Sequence, residues 1–572
     1  MTAALASMFD RRDIGVTRIA LSSGAILFGA GDVATHLYLV REGLLGVFDT
    51  VRSDDPRLVA FVRRGDTLGE MALLAGTSRT RGVVALRDCV VDAIGADAVF
   101  AAAQVDPEVM RELATLIARR ASGTAVPTTL PRSVLIVEMA EDCDPHRLAH
   151  ALAKRCVDLG YRAVALDGAA LDLDVSGIAA AETGFDIVFV SALAHEADWA
   201  AACRCHVDRV LLLGRAQSQP PPDCALCSTE PLQANGLVEL VLERTAGTSI
   251  RPSGAWIAAT VPAQVHHITA GGEGIDRLAR TLTGTAVGLA LSGGGARAFA
   301  HVGAVRALRE AGVPIDAVAG TSMGAIIAAG VASGWDDDEL DTRMRDAFVT
   351  TNPLDDIALP IIAMTRGHKV ETRLHRHFGA AVVEDLAIPF LCGAANLTTG
   401  RCDTFTRGPI VDALRASISL PGILPPVVRD GCVLVDGGLL RNLPTEMLRE
   451  SHAGTVIGCD VSRAIGLSPA EVMPPRSWIG WFASGRWRRG PPLVSILMRS
   501  ATISTHSEIA TARAAADLYV MPELDMIEIR DWKSYPRAVD AGYRAMAAAL
   551  ATTPAPITHL RAVRESRRPR RD

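Results

Sequence analysis

The sequence has no basic surplus. Its formal net charge is -6, whereas a nucleic-acid binder would carry a marked excess of Lys and Arg, so nucleic acid is not an expected partner. It also lacks a cysteine framework. Its 11 cysteines are an odd number scattered without regular spacing, which argues against a disulfide scaffold and fits reduced thiols. The opening MTAALASMFDRRDIG is charged early and has no apolar core, so it does not read as a secretory leader. The expectation is a cytoplasmic protein, with a peripheral position on the inner membrane face where it meets lipid. A strongly apolar run is missing too. Residues 317–335, AVAGTSMGAIIAAGVASGW, carry no charge and approach the ~20 residues of a spanning helix. They are mostly Ala and Gly, however, and a turn signature interrupts them, so a strand, a tight turn and a buried helix fit better. There is no P-loop, no internal repeat and no long low-complexity segment.

What is present is ordinary globular composition, 49% hydrophobic and 21% charged, in a chain of 572 residues that is too long for one core. Residues 1–125 read as short strands (LFGAG, HLYLV, LGVF) with Gly-bearing turns, a small barrel or jelly roll, followed over 98–120 by apolar residues at helical spacing. Pro127 and Pro131 mark a linker. Over 131–270 strands alternate with helices (SVLIVEMA, PHRLAHALAKRCVDLG, RAVALDG, DIVFVSAL, ADWAAACRC, RVLLLG), a parallel α/β layer. A second α/β pattern runs over 286–460. Residues 461–572 form an extension with a helix near 538–551 and a basic end, RAVRESRRPRRD.

Chemistry gathers in the second α/β pattern. Gly293-Gly294-Gly295-Ala296-Arg297 lies between a strand and a helix, where glycines and a helix N-terminus can hold an anion, either a phosphate or the oxyanion of acyl transfer. The same stretch, Gly293-x-Gly295-x-x-Ala298, fits a dinucleotide fingerprint. That alternative weakens once the next two segments are read. Gly320-Thr321-Ser322-Met323-Gly324 is a G-x-S-x-G elbow between strand IDAVA and helix AIIAAGVA, and Gly320 and Gly324 permit the strained turn. Val435-Asp436-Gly437-Gly438 follows the apolar run CVLV. A serine hydroxyl needs a base to take its proton, and Asp436 is the candidate. A conventional triad would need a later histidine, His452, His506 or His559, none of which sits in a signature.

The stretch GLALSGGGARAFAHVGAVRALREAGVPIDAVAGTSMGAIIAA, followed by ASISLPGILPPV and LVDGGLLRNLP, resembles the patatin-like phospholipase domain. The resemblance implies a three-layer α/β hydrolase with a Ser–Asp dyad and no histidine. Ser322 would be the nucleophile, Asp436 the base, and the backbone of Gly293, Gly294 and Gly295 the oxyanion hole, with Arg297 an adjacent cation. It implies no catalytic cofactor and no metal. Ala298 departs from the glycine usual in the family.

Residues 68–84, LGEMALLAGTSRTRGVV, resemble the phosphate-binding cassette of cyclic-nucleotide-binding domains. A carboxylate can take a ribose hydroxyl and an arginine can fork onto a phosphate. The match assigns Glu70 to the ribose and Arg79 to the cyclic phosphate of cyclic AMP or cyclic GMP, a regulatory ligand, with Gly69 and Thr80 assisting. One such module, an α/β segment and a patatin-like domain, with HHITAGGEGIDRLARTLTG before the Gly loop, together resemble the neuropathy target esterase family. That resemblance implies a phospholipid or lysophospholipid substrate. Animal members carry an N-terminal anchor and several nucleotide modules, and this sequence shows one module and no anchor. The rival reading is a cyclic-nucleotide-responsive scaffold with an inactive hydrolase domain. Loss of Ser322 or Asp436 would favour it, and both are present.

Two further signals are weaker. Cys203-x-Cys205-His206 and Cys224-x-x-Cys227 could ligate zinc, but the first spacing is unusual and ordinary thiols are the simpler reading. WIGWFASGRWRR (478–489) combines Trp with Arg, which suits a lipid interface, as do the terminal arginines.

Overall fold

The computed structural model describes residues 3–11, 14–49, 58–121, 130–167, 176–221, 238–245, 253–350, 354–359, 361–452, 454–462, 505–525, 527–553 and 556–560. They form two compact units, Met1–Thr283 and Gly284–Asp572.

The first unit opens with eight short strands: β1 (Thr17–Leu21), β2 (Ile26–Phe28), β3 (His36–Glu42), β4 (Leu44–Phe48), β5 (Leu58–Arg63), β6 (Thr67–Leu68), β7 (Gly82–Ala85) and β8 (Cys89–Gly95). They pair antiparallel in two four-stranded sheets, β1-β8-β3-β6 and β2-β7-β4-β5, a jelly roll. The helical spacing read over 98–120 is carried by two helices, Ala96–Val105 and Pro107–Ala121. Pro107 has no N–H to continue the first helix, so the chain turns at Asp106 and restarts with proline in the first turn.

The α/β layer of this unit is a six-stranded parallel sheet. Its strands are β9 (Ser133–Glu138), β10 (Ala163–Asp167), β11 (Ile187–Ala192), β12 (Arg209–Arg215), β13 (Val238–Arg244) and β14 (Val265–Thr269), in the order β10-β11-β9-β12-β13-β14. Val134, Ile136 and Leu211 pack on one face, and Leu135, Val137 and Leu212 on the other. Burial of both faces is why these strands read as unbroken apolar runs. β13 and β14 add two strands to the four legible from sequence. Arg87, at the β7–β8 turn of the barrel, reaches this layer and pairs with Glu182 at 3.1 Å and Asp208 at 3.6 Å.

The second unit holds a mixed sheet of β15 (Val287–Leu291), β16 (Ala317–Gly320), β17 (Phe390–Asn396), β18 (Arg401–Phe405), β19 (Val427–Arg429), β20 (Cys432–Asp436), β21 (Thr455–Cys459) and β22 (Leu518–Val520). The order is β19-β20-β17-β16-β15-β21-β22, with β18 on β17. Side chains alternate between two helical layers, as the strand period of two requires. Leu289, Leu291, Val318 and Ile457 join the large core, whereas Ala290, Ala317, Ala319 and Val456 face helix Thr445–Ser451. The large core is capped from far along the chain. Helix Tyr535–Ala551 lies on helix Ala300–Glu310. Their backbones meet at Gly303 and Gly542, where an added Cβ would stand 1.8 Å from the carbonyls of Val539 and Ala300 respectively. Tyr535 and Trp532 pack around Phe299 with ring centroids 4.7 and 5.9 Å away, one tilted and the other edge-on. Residues 461–572, read as an extension, therefore supply a strand and a core helix to this unit. Their sequence shows a helix, but nothing local in it reveals the partner. No helix among the described residues is long and apolar enough to cross a membrane.

Candidate active site

β16 ends at Gly320, and after Thr321 and Ser322 the chain enters helix Met323–Ala332. Ser322 has φ +55° and ψ −129°, a region L-residues rarely occupy and a known mark of functional turns. The turn is tight because Gly324 lies on the end of β15. A Cβ there would stand 2.5 Å from the carbonyls of Leu291 and Ser292, and Gly320 is packed as closely against Ala325.

Asp436 terminates β20, which pairs with β17, itself beside β16. This places its carboxylate at the elbow. The Ser322 hydroxyl donates to Oδ2 at 2.5 Å, and the Gly438 N–H donates to Oδ1 at 2.8 Å. Asp436 is 3% exposed. Burial pushes its carboxyl up to about 6, against the pull of the two hydrogen bonds. Gly437 rests on the Gly393 carbonyl, where a Cβ would stand 2.3 Å away. A side chain there would lever Asp436 off the serine.

The glycine loop follows β15. A Cβ on Gly293 would be 3.0 Å from that of Ser322, so the loop lies directly beside the nucleophile candidate. Its N–H groups are not equivalent. The Gly293 N–H donates to the Asn442 carbonyl at 3.2 Å, and the Asn442 side chain donates back to the Gly293 carbonyl at 3.3 Å. Among the described residues the Gly294 and Gly295 N–H groups have no acceptor. Arg297 is buried in the short helix Gly295–Phe299.

Sequence reasoning missed three supporting residues. Ser417 accepts the Ser322 N–H at 3.0 Å and donates to the Gly393 carbonyl at 2.7 Å. The Ser419 carbonyl accepts the Asp436 N–H at 2.9 Å. Asn442 ties the glycine loop to the chain after Asp436. All three lie in ASISLPG and LLRNLP, stretches legible as motif but not as contacts.

The structure does not bring the candidate histidines here. His452 donates to the Ala286 carbonyl, before the start of β15 and so at the opposite end of the strands from Ser322. Burial lowers its ring to about 4. His559 lies in a short helix whose Ile557 carbonyl takes the Thr455 hydroxyl, at that same far end. The His506 side chain lies outside the described residues, as do 478–489, the terminal arginines, Cys224 and Cys227. Cys203 is buried among apolar neighbours of β9 and β11, and Cys205 contacts the Ala201 carbonyl.

In the jelly roll, Gly69, at φ +93°, precedes the short helix Glu70–Ala75, and Glu70 is buried. Arg79 is buried and turned inward. It donates to the Gly69 carbonyl at 2.6 Å and the His36 carbonyl at 2.7 Å, with its guanidinium 4.4 Å from the Phe28 ring centroid. Its Nε has no acceptor among the described residues. Burial lowers its affinity for its proton. Thr80 is exposed.

Among known proteins, an uncharacterized NTE family protein of Mycobacterium tuberculosis is 31% identical over 550 residues, covering 92% of this chain and 91% of that protein. The chain belongs to the NTE family. Its NTE-family relatives include the human patatin-like phospholipase domain-containing protein 6, 26% identical over 618 residues, and lysophospholipase NTE1 of Phaeosphaeria nodorum, 24% identical over 652 residues. The match covers 95% of this chain in both, but only 45% and 43% of those longer proteins. Residues 289–449 match the patatin-like phospholipase model and residues 18–106 the cyclic nucleotide-binding domain model. The first holds Ser322 and Asp436, and the second holds Glu70 and Arg79, so both NTE-family modules carry the residues singled out above.

Proposed function

We propose that this chain is a lipid carboxylic ester hydrolase of lysophospholipase type, working through a Ser322–Asp436 dyad. The observation that carries the reading is the 2.5 Å hydrogen bond from the Ser322 hydroxyl to a buried carboxylate, beside a loop with two backbone donors that have no acceptor among the described residues. The carboxyl sits at about 6. It is ionised at neutral pH, yet it is a stronger base than a solvated aspartate. Asp436 takes the hydroxyl proton as Ser322 Oγ bonds to the ester carbonyl carbon. The Gly294 and Gly295 N–H groups receive the oxyanion. Collapse breaks the ester C–O bond, and Asp436 returns the proton to the departing alcohol. Water, deprotonated by the same carboxylate, then releases the fatty acid from the acyl-serine. The patatin-like match and the lysophospholipase names among the relatives support a lysophospholipid as substrate.

A fluorophosphonate probe should label the full chain and not Ser322→Ala, and turnover of a lysophospholipid panel should vanish with the label. Labelling that survives Ser322→Ala overturns the assignment.

The jelly roll supports a cyclic nucleotide, cyclic AMP or cyclic GMP, as regulatory ligand. Arg79 uses two of its five donors on the Gly69 and His36 carbonyls, and its Nε has no acceptor among the described residues, so donors remain for a cyclic phosphate. Regulation requires that the ligand bind two states of the chain with different affinity.

A further inference from the structure

Between β16 and β17 the hydrolase unit carries a small hairpin with several exposed aliphatic side chains. Ile357, Leu359, Ile361 and Ile362 are 68, 78, 81 and 70% exposed. Lone surface aliphatics are ordinary, but four within six residues need an explanation. The hairpin is not a loose strand of chain. Residues Ile357 and Thr365 bridge, the Ala358 N–H donates to the Met364 carbonyl at 2.9 Å, and the Arg366 N–H donates to the Asp356 carbonyl at 2.9 Å. The base is buried at Ala363 and Thr365. The Met364 and Thr365 N–H groups donate to the carbonyls of Gly422 and Ile423, and the Thr365 hydroxyl also reaches Ile423. That segment continues from Ser417 and Ser419, which hold the backbone N–H groups of Ser322 and Asp436. The exposed tip is therefore joined through main-chain hydrogen bonds to the segment that fixes the dyad.

Charge is arranged to leave the tip neutral. Residues 357–365, IALPIIAMT, hold no ionisable group. The acids of the neck are engaged: Asp355 pairs with Lys369 at 2.7 Å, and Asp356 accepts the Lys369 N–H. Arg366 stands exposed just after the tip. A bare aliphatic tip with no ionisable group of its own and the exposed Arg366 beside it suits shallow entry into a lipid surface. It suits a protein partner poorly, because a turn of this size offers neither a groove nor the roughly 800 Å² per side of a stable interface.

We propose that the 357–365 hairpin docks the hydrolase unit on a phospholipid surface, delivering the dyad to its substrate there. This rests on the lipid-hydrolase reading, and the test separates the two.

The full chain bearing Ser322→Ala, which leaves vesicles intact, is sedimented with phosphatidylcholine–phosphatidylglycerol vesicles. It is compared with the same chain carrying Ile357→Ser, Leu359→Ser, Ile361→Ser and Ile362→Ser. The expected result is at least a tenfold lower vesicle partition for the quadruple variant. With Ser322 retained, that variant should keep its thermal transition and its turnover of a soluble short-chain ester. Equal partition with and without the four substitutions overturns the proposal, as does absence of vesicle binding in both. A concentration-dependent dimer that the substitutions dissolve, without vesicle binding, assigns the hairpin to a second copy of the chain and overturns it too. No ester turnover by the unaltered chain would sink the hydrolase reading and leave the partition measurement intact.

Discussion

Replacing Asp436 by Asn should abolish turnover and make the protein more stable at about pH 8. The carboxyl is raised from an ordinary 3.8 to about 6 by burial. At about 1.4 kcal/mol for each tenfold change in proton affinity, that is about 3 kcal/mol. The sign follows from the direction of the shift. A raised carboxyl adds stability that is fully present below the unfolded value of about 3.8 and is lost as pH rises through the folded value of about 6. Above that the wild type bears the whole cost of a buried carboxylate, and Asn bears none. Asn also keeps the local geometry, since its oxygen can still accept the Gly438 N–H while its amide faces the Ser322 oxygen. The gain should appear in calorimetry of the full chain as a rise of roughly 5–10 °C in the transition of the hydrolase unit. It should shrink as the buffer is taken from about pH 8 to about pH 4, most of the change falling around and below the folded value of about 6. A variant no more stable than wild type at the higher pH would refute the claim that the fold carries a desolvated carboxylate at Asp436. Equal gains at both pH values would refute the electrostatic origin.

The same carboxyl should set the acid limb of kcat/KM on a soluble ester at about pH 6, because the protonated form cannot accept the serine proton; a limb near pH 4 would exclude it as the base. Ser417→Ala removes the partner of the Ser322 N–H and a donor to Gly393, so kcat should fall by roughly tenfold to a hundredfold, or about 1–3 kcal/mol, with the fold retained by circular dichroism; unchanged kcat would reduce Ser417 to a packing residue. Gly294→Ala puts a methyl 2.7 Å from the Val461 side chain and displaces an oxyanion donor, so kcat should drop by about 3 kcal/mol equivalent with KM little changed; a pure KM effect would make the loop a substrate-binding element. Titration calorimetry of the full chain should give heat with cyclic AMP or cyclic GMP that Arg79→Glu removes, and identical traces for both proteins would assign the jelly roll a structural role.

The elbow, the Asp-Gly-Gly turn and the glycine loop were legible because each demands particular residues at fixed local spacing. Gly324 must lack a side chain to touch β15, and Gly437 to touch β17. What tertiary contact decides stayed hidden. Nothing in SGGGAR says that Asn442, well over a hundred residues later, occupies the Gly293 N–H and leaves only its two neighbours for the proposed oxyanion role. Ser417 reads as one polar residue in ASISLPG until the fold brings it under Ser322. The strands of the middle layer were readable from their apolar runs, but β13 and β14 were not singled out, and Glu239 within β13 breaks its run. The hairpin at 357–365 escaped notice because a short aliphatic run looks like buried chain, and only its exposure shows otherwise.

The Gly303–Gly542 crossing has a consequence for biosynthesis. Phe299 begins the helix after the glycine loop, yet the surface that covers it, Trp532 and Tyr535, is made more than two hundred residues later. At about 5–20 residues per second this is a delay of roughly 10–50 s in which a nascent elbow has emerged but its core stays open to water. Ending the chain at residue 460 would make that interval permanent. The first unit, whose strands and helices all precede residue 284, can close its own cores while the hydrolase is still waiting for its last helix.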